Sequence, residues 1–213
     1  IVEVLEQKSK EGVDVRLIYD DIAASIHCRQ NIIRYCRQKA LSVPRFNPFR
    51  PIMSVIMNNR DHRKIFVVDG KVGFTGGINL ADEYINVASR FGYWKDTGIR
   101  LEGEAVWSMT VMFLEMWNYI NHSSEDYKQF MPQVYQKEPF EGDGFVQPYG
   151  DTPLDHETVG ENIYLNIINH AERYVYIFTP YLIIDNEMLV SLCNAAKRGV
   201  DVRIVTPGIP DKK

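Results

Sequence analysis

The chain has 213 residues, enough for one large domain or one domain and part of a second. Its 45% apolar and 24% charged content is ordinary for a soluble globular protein, and the absence of any run of ~18 or more apolar residues excludes a bilayer-spanning helix within it. A net charge of −4 argues against general nucleic-acid binding, and three cysteines without a C-x-x-C pair (Cys28, Cys36 and Cys193) read as free thiols of a reducing compartment.

The chain opens on Ile1 in what reads as a helix carrying Val2 and Leu5, stopped by Gly12. There is no initiator Met, and the far end, Pro210-Asp211-Lys212-Lys213, falls in mid-pattern, so the sequence reads as a piece of a longer protein. A strand is expected over Val13–Tyr19 and a basic helix over Arg29–Lys39, and Pro44, Pro48 and Pro51 mark a loop with a short strand before it. From His27 to Lys64 nine Lys and Arg face one acid, a local charge of +8, while fifteen basic and twenty-seven acidic residues leave the remainder at −12. A basic block on an acidic chain points to an anionic partner, against the blander reading of a solvated helix face.

Short apolar strands are expected over Arg63–Val68 and Lys71–Thr75, joined by Asp69-Gly70, a two-residue hairpin signal. A helix should start over Leu80–Val87, with a strand over Asp96–Leu101 and a helix over Ala105–Asn121 that presents Val106, Met109, Phe113, Met116 and Ile120. Ser123–Phe140 is polar and reads as loop, with a strand over Phe145–Tyr149. A helix over Val159–Ala171, a strand over Tyr174–Thr179 and a helix over Glu187–Arg198 complete the pattern. Alternating strands and helices imply an α/β layered fold, and the hairpin makes its sheet mixed.

Gly12-Val13-Asp14-Val15-Arg16 recurs as Gly199-Val200-Asp201-Val202-Arg203, and Leu5 and Lys10 recur as Leu192 and Lys197, all at an offset of 187. Each copy reads as a helix, a glycine stop and a strand, the second over Val200–Thr206. A duplicated α/β unit is the simplest account.

The residues that carry chemistry are His62, Lys64, Asp69, Gly76, Gly77 and Asn79. On a strand, His62 and Lys64 share one face, while Ile65 and Val67 share the other and can enter a core. A neutral imidazole can attack phosphorus, and an ammonium beside it neutralises the phosphoryl oxygens. With Lys and Asn donors no metal or other cofactor is needed. Asp69 has the opposite parity and sits in the turn, so its expected role is to brace the hairpin. Gly76-Gly77 lets backbone approach a phosphate closely. Asn79 reads either as a phosphate donor or as a helix N-cap. This full spacing arises by chance in only of the order of one chain in ten thousand.

The pattern resembles the H-x-K-x4-D-x6-G-[GS]-x-N motif of the phospholipase D superfamily. Trp94-Lys95-Asp96-Thr97, Glu102-Gly103 and Tyr181 after Pro180 make it similar to bacterial cardiolipin synthases in particular. The resemblance implies a phospholipase D-like layered fold, with one complete repeat plus the start of a second. It divides the chain into a first half over 1–135 and the beginning of a second over 136–213. It also implies that two motifs meet, one His attacking phosphorus and the other protonating the leaving alcohol. On that basis His62 is the nucleophile, Lys64 and Asn79 bind phosphoryl oxygens, Gly76, Gly77 and Tyr181 line the substrate, and Asp96 orients the imidazole. An imidazole nucleophile does need its second nitrogen held by an acceptor.

No second H-x-K is present, because His27, His122, His156 and His170 lack a Lys two positions on. The spacing from Arg16 to His62, applied to Arg203, puts a second His near position 249, about 36 residues past Lys213. The expected activity is therefore that of a longer parent enzyme. Two phosphatidylglycerols, the anionic lipid partner, are joined to cardiolipin with release of glycerol, at a bacterial cytoplasmic membrane reached through an absent N-terminal segment. The isolated piece is expected to be soluble and nearly inactive without the second motif-bearing half. The alternatives are a hydrolase of the same superfamily (lipase or nuclease) and a non-catalytic phosphate-binding module.

Overall fold

A computed structural model describes residues 1–20, 36, 41–46, 61–89, 92–135, 144–151 and 157–208. These fall in two compact units, Ile1–Gly77 with Gly98–Pro148 and Ile78–Thr97 with Tyr149–Lys213. The fold is α/β, with parallel and antiparallel pairing in separate small sheets among the described residues. The expected basic helix over Arg29–Lys39 lies, apart from Cys36, outside those residues, as do Pro48 and Pro51.

The first unit begins with helix α1 (Val2–Lys10), which carries Glu3 in its first turn and Lys8 and Lys10 in its last, as the helix dipole favours. Gly12 follows at φ 91. The strand expected over Val13–Tyr19 is only partly paired. Arg16 bridges Ser42, and a two-residue strand β1 (Tyr19–Asp20) runs parallel to β2 (Arg45–Phe46). Cys36, Leu41 and Val43 are buried beneath it, with Val2, Leu5, Val15 and Leu17 packed against them.

Strands β3 (Phe66–Val68), β4 (Val72–Gly76) and β5 (Gly98–Glu102) form an antiparallel sheet in that order. Both β3 and β5 start later than expected: β3 opens at Phe66 rather than Arg63, and β5 opens after Asp96. Helix α2 (Val106–Asn121) packs on β3 and β4. Gly73 permits this approach, since a Cβ there would stand 2.8 Å from Met109 Sδ. The buried stripe of α2 is Val106, Met109, Thr110, Leu114 and Trp117. Phe113, Met116 and Ile120 therefore flank the buried face instead of centring it. A short 3-10 turn (Tyr127–Phe130) interrupts the expected loop, and no strand forms over Phe145–Tyr149, where Phe145 is fully exposed.

In the second unit the helix expected over Leu80–Val87 is a single 3-10 turn, Asp82–Ile85, stopped by Asn86 in the left-handed region. Helix α3 (Val159–His170), strand β6 (Tyr174–Phe178), helix α4 (Asn186–Lys197) and strand β7 (Asp201–Val205) follow as expected. β6 and β7 pair in parallel, Tyr174 with Asp201 through Phe178 with Val205. Ile168, Val175, Leu192, Ala195 and Val200 form the core. Each large aliphatic side chain buried there contributes about 1.5–3 kcal/mol. Asp185 caps α4 by accepting from the Met188 N–H at 2.8 Å.

The repeated sequence keeps its helix, glycine stop and Asp-x-Arg contact in both copies, while the strand is continuous only in the second. Gly199 has φ 94 against 91 at Gly12, and in each copy the Asp-x-Arg pair closes on itself, Arg16 Nη2 to Asp14 at 2.9 Å and Arg203 Nη2 to Asp201 at 2.8 Å. The surroundings differ. The Arg16 guanidinium lies over Trp117 (4.8 Å) and Phe130 (4.9 Å) and also bonds Glu125, whereas Arg203 is exposed beside Tyr176.

Candidate active site

His62 and Lys64 sit in irregular chain just before β3, not on the strand that would have set their shared face. Their side chains still meet. Lys64 Nζ lies 3.0 Å from His62 Nδ1 and donates to the His62 carbonyl at 2.6 Å. An ammonium has only donors, so Nδ1 accepts here and a neutral imidazole carries its proton on Nε2. Around His62 the chain is clipped by its neighbours. The Asp61 carboxylate accepts from the Arg63 backbone N–H (3.0 Å), Nε (2.9 Å) and Nη2 (2.9 Å). This bidentate pair ties the residues on either side of the histidine to one another.

Beyond β3, Asp69 (φ 54) and Gly70 (φ 65) make the turn, and the Lys71 N–H bonds the Val68 carbonyl at 3.0 Å. The ladder resumes at Val68 with Val72, so three residues connect the strands and not two. Asp69 thus lies in the turn, away from the strand faces. At the other end of β4, Gly76 pairs with Gly98 and Gly77 follows, leaving that edge of the ladder without side chains.

Asn79, Asp96 and Tyr181 belong to the second unit. Asn79 is not a helix cap, since the 3-10 turn starts from Ala81. Its Nδ2 donates to the Tyr84 hydroxyl at 2.7 Å. Asp96 accepts from Trp94 Nε1 (3.1 Å) and from the Thr97 N–H (2.8 Å). Tyr181 follows β6, half exposed, its carbonyl accepting from Thr179 Oγ1.

A family model described as the phospholipase D-like domain of cardiolipin synthase matches residues 1–90 and 164–213. The chain belongs to this family. A cardiolipin synthase of Alkalihalophilus pseudofirmus is 36% identical over 217 residues, covering all of this chain and 42% of its own length. Cardiolipin synthase 2 of Bacillus cereus is 38% identical over 216 residues, 41% of its length. An uncharacterized protein of Streptococcus mutans is 52% identical over 214 residues, 46% of its length. This phospholipase D-like chain thus spans less than half of each of these relatives.

The electrostatics of the phospholipase D-like motif favour a neutral His62. Partial burial pushes the imidazole below its ordinary value, the Lys64 ammonium pushes it further, and the carboxylates of Asp61 and Asp20 only partly oppose them. Burial works against ionisation of Asp61, yet the bonds from Arg63 outweigh it and hold the carboxyl below the usual range. Arg63 is raised in turn, first by that hydrogen bond. Asp20 ends β1, and Tyr84 and Asn86 lie between motif residues. None of the three carries a spacing signal that marks it in the sequence. Elsewhere in the second unit, ligand oxygens of Glu161, Asp185 and Glu187 lie within 4.8 Å of one another. The neighbouring Asp185, through a hydrogen bond and its charge, pushes Glu161 up. No motif residue belongs to that group. Among the described residues no helix is long and apolar enough to cross a membrane.

Proposed function

We propose that the full-length protein carrying this chain is a phosphatidyltransferase of the cardiolipin synthase type, with His62 as its nucleophile. The supporting observation is the contact of Lys64 Nζ with His62 Nδ1 at 3.0 Å, which joins a phosphate-neutralising cation to an imidazole held neutral by its surroundings. When the phosphate of a first phosphatidylglycerol enters, its oxyanion competes for the Lys64 ammonium and draws it from Nδ1. The imidazole proton then shifts from Nε2 to Nδ1, where Asp96 serves as acceptor, and the Nε2 lone pair attacks phosphorus.

The bond from phosphorus to the headgroup glycerol oxygen breaks, and glycerol leaves with a proton from the general acid, the His of the second motif. The product is a phosphatidyl–His62 intermediate. A headgroup hydroxyl of a second phosphatidylglycerol attacks that phosphorus and gives its proton to the same second His, which releases cardiolipin and free His62. Lys64 and Asn79 hold the phosphoryl oxygens throughout, and Gly76, Gly77 and Tyr181 line the substrate. The partners are an anionic phospholipid and the motif-bearing half outside this chain, and no cofactor takes part.

Full-length protein incubated with labelled phosphatidylglycerol in vesicles should yield labelled cardiolipin and glycerol in equal amounts. His62→Asn should abolish both. Phosphatidic acid as the main product would replace transfer by hydrolysis, and full activity in His62→Asn would leave only phosphate binding.

A further inference from the structure

We propose that Tyr84 and Trp94 are positioning residues that hold Asn79 and Asp96 as one preassembled unit, an inference that rests on the roles proposed above for those two side chains. Asp96 is exposed and Asn79 only partly buried, so packing alone does not fix these polar groups and hydrogen bonds set their orientation. Those bonds form one connected path. Asn79 Nδ2 donates to Tyr84 Oη (2.7 Å), the Tyr84 ring meets the Trp94 indole edge-on with centroids 4.7 Å apart, and Trp94 Nε1 donates to Asp96 Oδ2 (3.1 Å). The Thr97 N–H occupies the other carboxylate oxygen at 2.8 Å, so Asp96 is held at both ends.

Trp94 itself is clamped. Asn86, in the left-handed region at φ 59, donates from Nδ2 to the Trp94 carbonyl (2.9 Å) and accepts the Trp94 N–H on Oδ1 (2.6 Å). One side chain thus closes a ring of two bonds with a single distant residue, which fixes the indole on Tyr84.

The path assigns each ring a distinct task. Tyr84 takes one hydrogen of the Asn79 amide, which sets the orientation of the rotor and leaves the second hydrogen for an anionic oxygen. Trp94 sets the angle at which the Asp96 carboxylate can accept from an imidazole. Loss of the first should weaken substrate binding, and loss of the second should slow the chemical step.

The test uses full-length enzyme in vesicles of phosphatidylglycerol. Tyr84→Phe keeps the ring contact and removes the hydroxyl, and it should raise KM about three- to five-fold with kcat within about two-fold of wild type. Trp94→Phe keeps an aromatic ring and removes the N–H bond to a carboxylate, and it should lower kcat roughly ten-fold with KM nearly unchanged. Trp94→Ala should show both effects. Tyr93→Phe, at an exposed neighbouring ring, serves as control and should match wild type. Melting curves run beside the assays separate lost folding from lost positioning. Wild-type kcat and KM in Tyr84→Phe and Trp94→Phe, with His62→Asn inactive, would overturn this inference alone. So would losses that simply track the folded fraction without a split between KM and kcat. An active His62→Asn would overturn the underlying assignment of the site, and this inference with it.

Discussion

His62 and Lys64 stand two residues apart, and that spacing suits a strand face. In the folded chain the strand starts only at Phe66, and the contact arises because Lys64 turns back onto the carbonyl and ring of His62. The Lys64 charge therefore acts on the imidazole directly. Replacing Lys64 by methionine keeps the stem and removes the ammonium. The His62 imidazole of Lys64→Met should then titrate at higher pH than in wild type, because burial alone would still depress it, while Asp61 and Asp20 act unopposed by the cation. Histidine ring resonances followed by NMR against pH measure this, and an unchanged or lower midpoint would contradict the cause assigned to Lys64. The linkage has a definite sign. A base whose folded value lies below its unfolded value binds fewer protons folded than unfolded, so stability falls as pH drops below the ordinary imidazole value. Lys64→Met should show less of that acid sensitivity.

At the scale of elements, the hairpin was legible in sequence as Asp69-Gly70, because only residues tolerant of positive φ can turn there. What the sequence does not carry is the neighbour. A Cβ on Gly70 would meet the Phe130 carbonyl at 3.0 Å and Pro132 Cδ at 3.1 Å, whereas nothing lies within 4 Å of one on Gly12. Both glycines have positive φ, so each alanine substitution costs about 1–2 kcal/mol in backbone strain alone. Gly70→Ala should destabilise by more than Gly12→Ala, by about a further 1–2 kcal/mol, because backbone cannot yield as a side chain would. Denaturant melts of the two variants compare them, and equal losses would rule out the steric contribution. The same limit explains the misread helix over Leu80–Val87. Its pattern is helical for one turn, but Asn86 adopts the left-handed region to clamp Trp94 eight residues on, a demand invisible to local periodicity. The stripe of α2 shifted for a like reason: Thr110 is buried by bonding the Val106 carbonyl, and Trp117 is drawn inward under Arg16.

At the scale of the whole molecule, the repeat at offset 187 predicted a helix, a glycine and a strand used twice; both copies keep the helix and the positive-φ glycine, but a full strand forms only in the second, at Asp201–Val205, where the first has a lone bridge at Arg16. The helix and its glycine stop are set by residues within the unit and survive duplication, whereas the strand needs a pairing partner that the repeat does not specify. The sites of Arg16 and Arg203 differ because each contacts elements the repeat does not specify. The chain holds one H-x-K-x4-D motif and spans less than half of its relatives, and the proposed transfer needs a second His to protonate the departing glycerol. Lack of a general acid costs roughly 10²–10⁴-fold in rate. The 213-residue chain alone should therefore turn over phosphatidylglycerol slower than the full-length protein by at least about that factor, even where it is folded and binds phosphate. Parallel assays at equal protein concentration check this, together with sedimentation of the chain alone. Comparable rates from a sedimenting monomer would mean that one motif suffices and that the second His is not the acid. Comparable rates from a dimer would mean that two copies of His62 supply both roles, as a twofold axis through the motif allows.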